Sequence, residues 1–208
     1  MLTTMAATGL ALSMITAGVS APASPPPSAP VTVGVVTVNG SGCPAGTTAV
    51  DVSSDNTAFT VTYSTYLAQV GPQSAPTDIR KNCQLALQIH VPQGFTYAIA
   101  EADYRGFADL ASGATGMEQA NYYFQGTSPT ARIAHKFSGP FENDWETTDT
   151  TDVAALVFAP CGVDRLLNIN SELRVAAGSS NASNTSFMTM DSTDGSVHTT
   201  YRFAWKQC

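Results

Sequence analysis

The segment richest in groups that could do chemistry is 139–152, with the sequence GPFENDWETTDTTD. It carries five carboxylates, at Glu142, Asp144, Glu146, Asp149 and Asp152. Calcium takes about six to eight oxygen ligands, so Asp144, Asp149 and Asp152 are candidate ligands for a calcium ion. No other cofactor is predicted. The segment lies between strand-like runs, and we predict that it is a long loop.

Aromatic side chains give the same segment a second candidate role. Trp145 in such a loop could stack on a sugar ring, with Phe141 nearby. The candidate ligand-binding site is completed by three carboxylates, those of Glu142, Asp144 and Glu146. The default alternative is a solvated acidic loop in which Trp145 covers the open end of the core.

Two further groups of titratable residues invite a chemical interpretation. A second loop-like stretch carries three carboxylates around Arg105, namely Glu101, Asp103 and Asp109. A carboxylate pair hydrolyses glycosides when held about 5 to 9.5 Å apart, but the sequence gives no distance, and balanced surface charges are the default. His90 and His198 lie on the polar faces of alternating runs. They could form a metal or acid–base pair only if their strands were neighbours.

The motifs of common hydrolases and redox enzymes are absent from the chain. It has no Gly-x-Ser-x-Gly elbow, no Cys-x-x-Cys pair, no His-Glu-x-x-His helix and no glycine loop for phosphate. These absences leave the enzyme question open but favour a protein without catalysis. A net charge of −7 without a basic cluster argues against nucleic acid and anionic membranes as partners.

The N-terminus has the features of an export signal. The first 50 residues contain no Asp, Glu, Lys or Arg, residues 5–19 form an apolar run, and Ala21-Pro22-Ala23 fits the small-x-small cleavage rule. We predict a signal peptide over 1–23, a Pro/Ser-rich spacer over 24–30, one domain over 31–208 and an extracellular location. The longest later apolar stretch, Val153–Ala159, is too short to span a bilayer, so no membrane insertion of the mature chain is expected.

Alternation of apolar and polar residues predicts strands along most of the chain. The pattern is clearest over 59–63, 85–91, 167–177 and 197–206. About ten short runs separated by turn signals predict an all-β fold, an antiparallel β-sandwich or jelly roll. Asp194-Gly195 predicts a type I′ hairpin turn. Phe107–Gln119 is the one segment in which a short helix is plausible.

Four cysteines, at Cys43, Cys83, Cys161 and Cys208, are expected to form two disulfides in an oxidising compartment. Three pairings are open, and we favour Cys43–Cys83 with Cys161–Cys208, which staple each half of the chain separately. Each bond would close a loop of roughly 40 residues, worth about 4 kcal/mol in the chain-entropy model.

Several short strings resemble a known family. They are Gly40-Ser41-Gly42-Cys43-Pro44, Lys81-Asn82-Cys83-Gln84-Leu85, Asp103-Tyr104-Arg105-Gly106, Tyr122-Tyr123-Phe124-Gln125-Gly126, Pro160-Cys161-Gly162 and Leu167-Asn168-Ile169-Asn170. Spread over residues 36–208, they resemble the domain-of-unknown-function 4360 family of small secreted proteins from actinobacteria and filamentous fungi. The resemblance implies export and a disulfide-bonded β domain, and it carries over no catalytic residues.

Together these patterns predict a secreted, non-catalytic protein that binds a surface, a glycan or another protein. The alternative is a secreted carbohydrate-active enzyme that uses paired carboxylates on a jelly-roll scaffold. A third hypothesis is a structural or defensive protein that resists proteolysis. Partners are expected to be extracellular glycans or proteins, and nucleic acid is not expected.

Overall fold

The computed structural model describes residues 24–128, 132–152, 155–190 and 198–208. The regular elements of this part of the chain are twelve strands. In chain order they are β1 (Thr32–Asn39), β2 (Thr48–Val52), β3 (Ala58–Tyr63), β4 (Leu67–Val70), β5 (Arg80–His90), β6 (Phe95–Leu110), β7 (Thr115–Phe124), β8 (Ile133–Ser138), β9 (Phe141–Thr150), β10 (Leu167–Ala176), β11 (Ser186–Thr189) and β12 (Thr199–Gln207). None of the described residues belongs to a helix long and apolar enough to cross a bilayer.

The strands form two antiparallel sheets in a sandwich-like arrangement. The five-stranded sheet has the order β1-β5-β10-β7-β8. The seven-stranded sheet is built around β6, which pairs with β12 and then β11 along one edge and with β9 along the other. Beyond β12 lie β3 and β2, and β4 lies beyond β11. The prediction of an all-β antiparallel sandwich is confirmed.

Strand alternation places the core between the two sheets. On β10, Leu167, Ile169, Leu173 and Val175 are at most 1% exposed, whereas the residues between them include Asn168, Asn170 and Arg174. The core-facing surface of the seven-stranded sheet is aromatic. It carries a connected set of rings from Phe59, Tyr97, Tyr201, Phe203 and Trp205. Burying each large apolar side chain contributes about 1.5–3 kcal/mol, so this inter-sheet layer is the main source of stability.

Two local predictions are wrong. The segment 107–119 is no helix, because it comprises the end of β6, a turn at Gly113 with φ 88° and the start of β7. The segment 139–152 is no loop, because residues 141–150 form β9 and pair with residues 101–110 of β6. The predicted hairpin turn at Asp194-Gly195 lies outside the described residues.

Both predicted disulfides are present. Cys43 bonds to Cys83 with the Cα atoms 5.4 Å apart, and Cys161 bonds to Cys208 with the Cα atoms 5.8 Å apart. The first pair is buried in the core, whereas the second is exposed at one end of the sandwich. The closed loops span 40 and 47 residues, so each bond restricts one half of the unfolded chain.

The Pro/Ser segment before β1 lies along the seven-stranded sheet. Ser24 N donates to Trp205 O at 2.9 Å, so this segment continues the pairing of β12. Asn56 holds the same segment, because its Nδ2 donates to the carbonyls of Pro27 and Ala29 at 2.9 and 3.0 Å. Its Oδ1 accepts from Val31 N at 3.1 Å. Residues 24–31 therefore contact the domain instead of standing away from it.

Candidate functional site

Strand alternation divides the predicted ligand-binding residues between two faces of β9. Trp145 is 4% exposed and packs on Phe137, with 5.5 Å between ring centroids. It fits because Gly106 lies opposite, where a Cβ would come within 2.6 Å of the indole. Phe141 also contacts Phe137. The carboxylates of the set, Glu142, Asp144 and Glu146, are exposed on the other face, so the structure does not bring the five residues into one surface.

The candidate calcium ligands are also separated. Asp144 is exposed and Asp149 is 2% exposed, and they stand on opposite faces of β9. Asp152 lies beyond the end of the strand. In the described ranges no group of three or more His, Cys, Asp or Glu residues is placed to hold a metal ion. Calcium binding therefore stays a prediction, and the described residues form no cluster of ligands for it.

Two of the three carboxylates near Arg105, those of Glu101 and Asp103, are in ion pairs on the outer face of the seven-stranded sheet. Arg202 Nε donates to Glu101 Oε1 at 2.7 Å, and its Nη2 donates to Asp103 Oδ2 at 3.0 Å. Arg105 pairs with Glu146 at 2.8 Å instead. His90 and His198 belong to different sheets, since one ends β5 and the other precedes β12. They are therefore not strand neighbours.

A buried acidic group that the sequence analysis missed lies between the sheets. Glu118 of β7 has no exposed surface, and neither carboxylate oxygen has a hydrogen bond of ordinary geometry within the described residues. Burial raises its pKa well above the ordinary value, and the nearby Asp149 raises it further. Burial also raises the pKa of Asp149, although His135 Nε2 lies 2.6 Å from its Oδ1. Since Glu118 is sealed from solvent, this pair is out of reach of a substrate.

Outward-facing amides collect on the five-stranded sheet. Where β5, β10 and β7 pair, their apolar residues face the core, and every second residue faces outward. Six of these outward positions hold Asn or Gln, and we call them the amide face: Asn82, Gln84, Gln119, Asn121, Asn168 and Asn170. Three distant segments of the sequence thus form one polar surface.

Strand register arranges the amides in rows. Gln84 stands opposite Asn170, which stands opposite Asn121 on its other side. Asn39 of β1 is opposite Gln84 at the outer end of this row. Because neighbouring strands are about 4.8 Å apart, the row presents one amide per strand across four strands.

A pocket opens on the amide face beside this row. Its polar lining comes mainly from the amide face, together with Arg80, Arg132 and Glu172. Asn121 is only 4% exposed, yet its side chain has no hydrogen-bond partner among the described residues, as is also true of Gln84 and Asn170. The amide atoms of these residues are not sealed from solvent, so they open onto the pocket. Unpaired amides that line a pocket are groups available to a ligand.

An arginine–glutamate–arginine group adjoins one end of the pocket, which Arg80 and Glu172 line and beside which Arg174 lies. Arg80 Nε donates to Glu172 Oε2 at 2.8 Å, and Arg174 Nη2 donates to Glu172 Oε1 at 2.8 Å. Burial opposes ionisation of Glu172, but the two guanidinium groups prevail and hold its pKa below the ordinary value. The same contact raises the pKa of Arg80. Glu172 and Arg80 are therefore both charged at neutral pH.

A faint signal of the amide face is present in the sequence. Amides recur at alternate positions in Asn82-Cys83-Gln84, Gln119-Ala120-Asn121 and Asn168-Ile169-Asn170. Such spacing places both amides of each pair on one face of a strand. It does not show that the three strands are neighbours, which is why the sequence analysis did not identify this site.

Comparison with known proteins identifies related sequences. The family model described as "Domain of unknown function (DUF4360)" matches residues 29–208. An "Uncharacterized secreted protein" of Arthroderma benhamiae is 36% identical over 173 residues, which is 83% of this chain and 70% of the relative. Secretion of the relative and the two disulfides agree with an extracellular location for this chain.

Two solved structures show a weak overall likeness. TmCBM61, determined in complex with β-1,4-galactotriose, is 8% identical with a TM-score of 0.28, and the match covers 87% of this chain and 90% of that one. The enzymatically active domain of bacteriophage CBA120 tailspike protein 4 is 12% identical with a TM-score of 0.27, covering 86% of this chain and 19% of that one. TM-scores this low carry no functional inference.

Proposed function

Since this chain belongs to the DUF4360 family, whose activity is unknown, we propose that it is an extracellular, non-catalytic module whose amide face binds a polysaccharide. The observation that carries the proposal is the set of unpaired amides that line one pocket, above all the 4% exposed Asn121. These amide atoms reach the pocket, since none of them is among the sealed, unpartnered side-chain atoms of the described residues. Each hydrogen bond that a ligand makes to them in place of water contributes about 0.5–1.5 kcal/mol.

The chemistry of the amide face suits sugar hydroxyls. A carboxamide offers two N–H donors and one carbonyl acceptor, and a hydroxyl group both donates and accepts. A row of amides can therefore bond successive hydroxyls without needing a charged ligand. Tyr123, half-buried at an outward position beside Asn168, adds an aromatic edge to the same surface.

The shape of the surface favours a chain over a small molecule. The row that runs from Asn39 through Gln84 and Asn170 to Asn121 crosses four strands. At about 4.8 Å per strand, its amides recur at roughly the length of one sugar ring. A linear polysaccharide lying across the strands would meet one amide per residue.

The experiment is a glycan array followed by calorimetric titration of the polysaccharide that binds best. The test variant is the double substitution Gln84→Ala/Asn170→Ala, which truncates two solvent-accessible amides of one row. Each lost hydrogen bond is worth about 1 kcal/mol, so affinity should fall by roughly tenfold or more. The matched control is Gln93→Ala, which removes an exposed amide in the turn between β5 and β6.

Unchanged affinity in the double variant would show that the amide face is not the glycan-binding site. The absence of any glycan binding by the native protein would overturn the proposal itself. The enzyme alternative lacks comparable support, because the carboxylate pair with raised pKa values, Glu118 and Asp149, is buried between the sheets.

A further inference from the structure

We propose that Arg80 and Arg174 form an anion-binding subsite at one end of the amide face. The polysaccharide would then carry negatively charged substituents, carboxylate or sulfate. This inference rests on the proposed function, because it assigns a substrate class to the same surface. It depends on the charged residues around the amide face, because the amides themselves carry no charge.

Charge is divided unevenly between the two outer faces of the sandwich. The five-stranded sheet presents one outward carboxylate, Glu172, and four basic side chains, namely Arg80, Arg132, Lys136 and Arg174. The seven-stranded sheet presents mostly carboxylates, those of Asp51, Glu101, Asp103, Asp109, Glu142, Asp144 and Glu146, against three basic side chains, Arg105, Arg202 and Lys206. A protein with a net charge of −7 thus keeps a locally positive surface around the amide face.

The two arginines stand in a position that normally destabilises a sheet. Arg80 of β5 and Arg174 of β10 are directly opposite in register, and like charges placed so are unfavourable. Glu172 lies between them and bonds to both. One carboxylate offsets only one of the two positive charges, so a second anion at this point would complete the balance.

The geometry leaves donors free for such an anion. The side chain of Glu172 is 6% exposed, whereas those of Arg80 and Arg174 are 49% and 50% exposed. A guanidinium carries five N–H donors in a rigid fork, and only part of that set faces Glu172. The buried carboxylate therefore orients two guanidinium groups whose remaining donors reach solvent. Paired arginines of this kind favour carboxylate and sulfate-like oxygens.

The subsite is continuous with the amide rows. Glu172 is in register with Asn82 on one side and Gln119 on the other. Arg80 and Arg132 both line the pocket that contains these amides. A single ligand could therefore place hydroxyls on the amides and acidic groups on the guanidinium groups at the same time.

The test compares acidic and neutral forms of one backbone. Polygalacturonate and its fully methyl-esterified form separate carboxylate recognition from backbone recognition, and a sulfated galactan with its desulfated form does the same for sulfate. The native protein should bind one acidic polymer at least about tenfold more tightly than its neutral partner. That preference should shrink as salt is raised. Which acidic polymer shows it decides between carboxylate and sulfate.

Two variants locate the preference. Arg174→Gln should lower affinity for the acidic polymer by about tenfold and leave affinity for its neutral form nearly unchanged. Arg80→Gln removes the other guanidinium of the subsite, so it keeps the proposal testable if the first variant folds poorly; it should reduce the same preference. Gln93→Ala, the exposed turn amide, is the control and should change neither affinity.

The outcomes separate the two proposals. Equal binding of acidic and neutral polymers through the amide face would overturn the anion subsite while sparing the proposed function. A preference for acidic polymers that survives both arginine substitutions would also overturn it. Binding of duplex DNA as tight as that of the acidic polysaccharide would contradict the assignment to glycans. Binding of no polysaccharide at all would overturn the proposed function and the subsite with it.

Discussion

Glu118 has the most unusual environment of any described acidic residue. It is fully buried beside Asp149, and its pKa is raised by burial first and by that neighbour second. An acid with a raised folded pKa binds a proton that the unfolded chain has already lost. The stabilisation that this acid contributes is therefore complete below its pKa in the unfolded chain and is lost as the pH rises through its pKa in the folded protein.

This arrangement predicts a pH dependence of stability. The native protein should lose unfolding free energy as the pH rises above the ordinary value of 4.5 for Glu118. Glu118→Gln should reduce that decline by up to about 1.4 kcal/mol per pH unit and leave the part that comes from the raised pKa of Asp149. Urea denaturation at a series of pH values measures it, with the exposed Glu142→Gln as control. Parallel curves for native protein and the Glu118 variant would show that Glu118 ionises normally.

A substitution at Trp145 tests whether the aromatic side chains of β9 belong to the core. Its indole is buried against Phe137 and over Gly106, so Trp145→Ala should reduce the unfolding free energy by about 3–5 kcal/mol. Chemical denaturation measures this loss. A variant that keeps native stability but loses glycan binding would instead place Trp145 in the ligand site, as the sequence analysis considered.

At the scale of elements, Asn56 connects the N-terminal segment to the rest of the fold. Its side chain makes three hydrogen bonds to residues 27–31, and its φ is 56°, a value that asparagine tolerates better than alanine. Asn56→Ala should therefore cost about 2–4 kcal/mol and release residues 24–31. Hydrogen exchange at the non-proline amides of the segment, those of Ser24, Ser28, Ala29 and Val31, is the measurement, with the exposed neighbour Ser54→Ala as control. Unchanged protection in the Asn56 variant would mean that other contacts hold the segment.

Strand alternation made much of the fold predictable. The patterns of β5, β10 and β12 have one apolar face and a polar one, and the structure places those faces as the sequence indicates. The β9 strand was missed because its acidic and threonine-rich composition is typical of loops. Its core-facing residues, Trp145, Thr147 and Asp149, include two polar side chains, so the apolar alternation is too short to recognise.

The amide face lay beyond the reach of the sequence for a different reason. Each of its strands shows paired amides, but β5, β7 and β10 are separated by tens of residues and meet only through long-range pairing. The same is true of Arg80 and Arg174, which are adjacent in space and remote in sequence. A local pattern predicts which way a side chain faces, and tertiary pairing decides which side chains share a surface.

At the scale of the whole molecule, the inner face of each sheet covers the core and the outer face is available for binding. The two outer faces differ in charge. Replacing the exposed pair Cys161 and Cys208 with alanine should cost about 2–5 kcal/mol without changing glycan affinity, because that bond lies at one end of the sandwich. Thermal unfolding and titration measure the two effects, and a parallel loss of affinity would link that end to the site.

The most direct measurement is a two-dimensional NMR titration of the native protein with the polysaccharide that it binds best, observing the side-chain NH2 groups. The largest shifts are expected at Asn121, Asn170 and Gln84, with little change at Gln93. Shifts confined to the outer face of the seven-stranded sheet, as at Gln69 opposite Phe187, would contradict a binding site on the amide face.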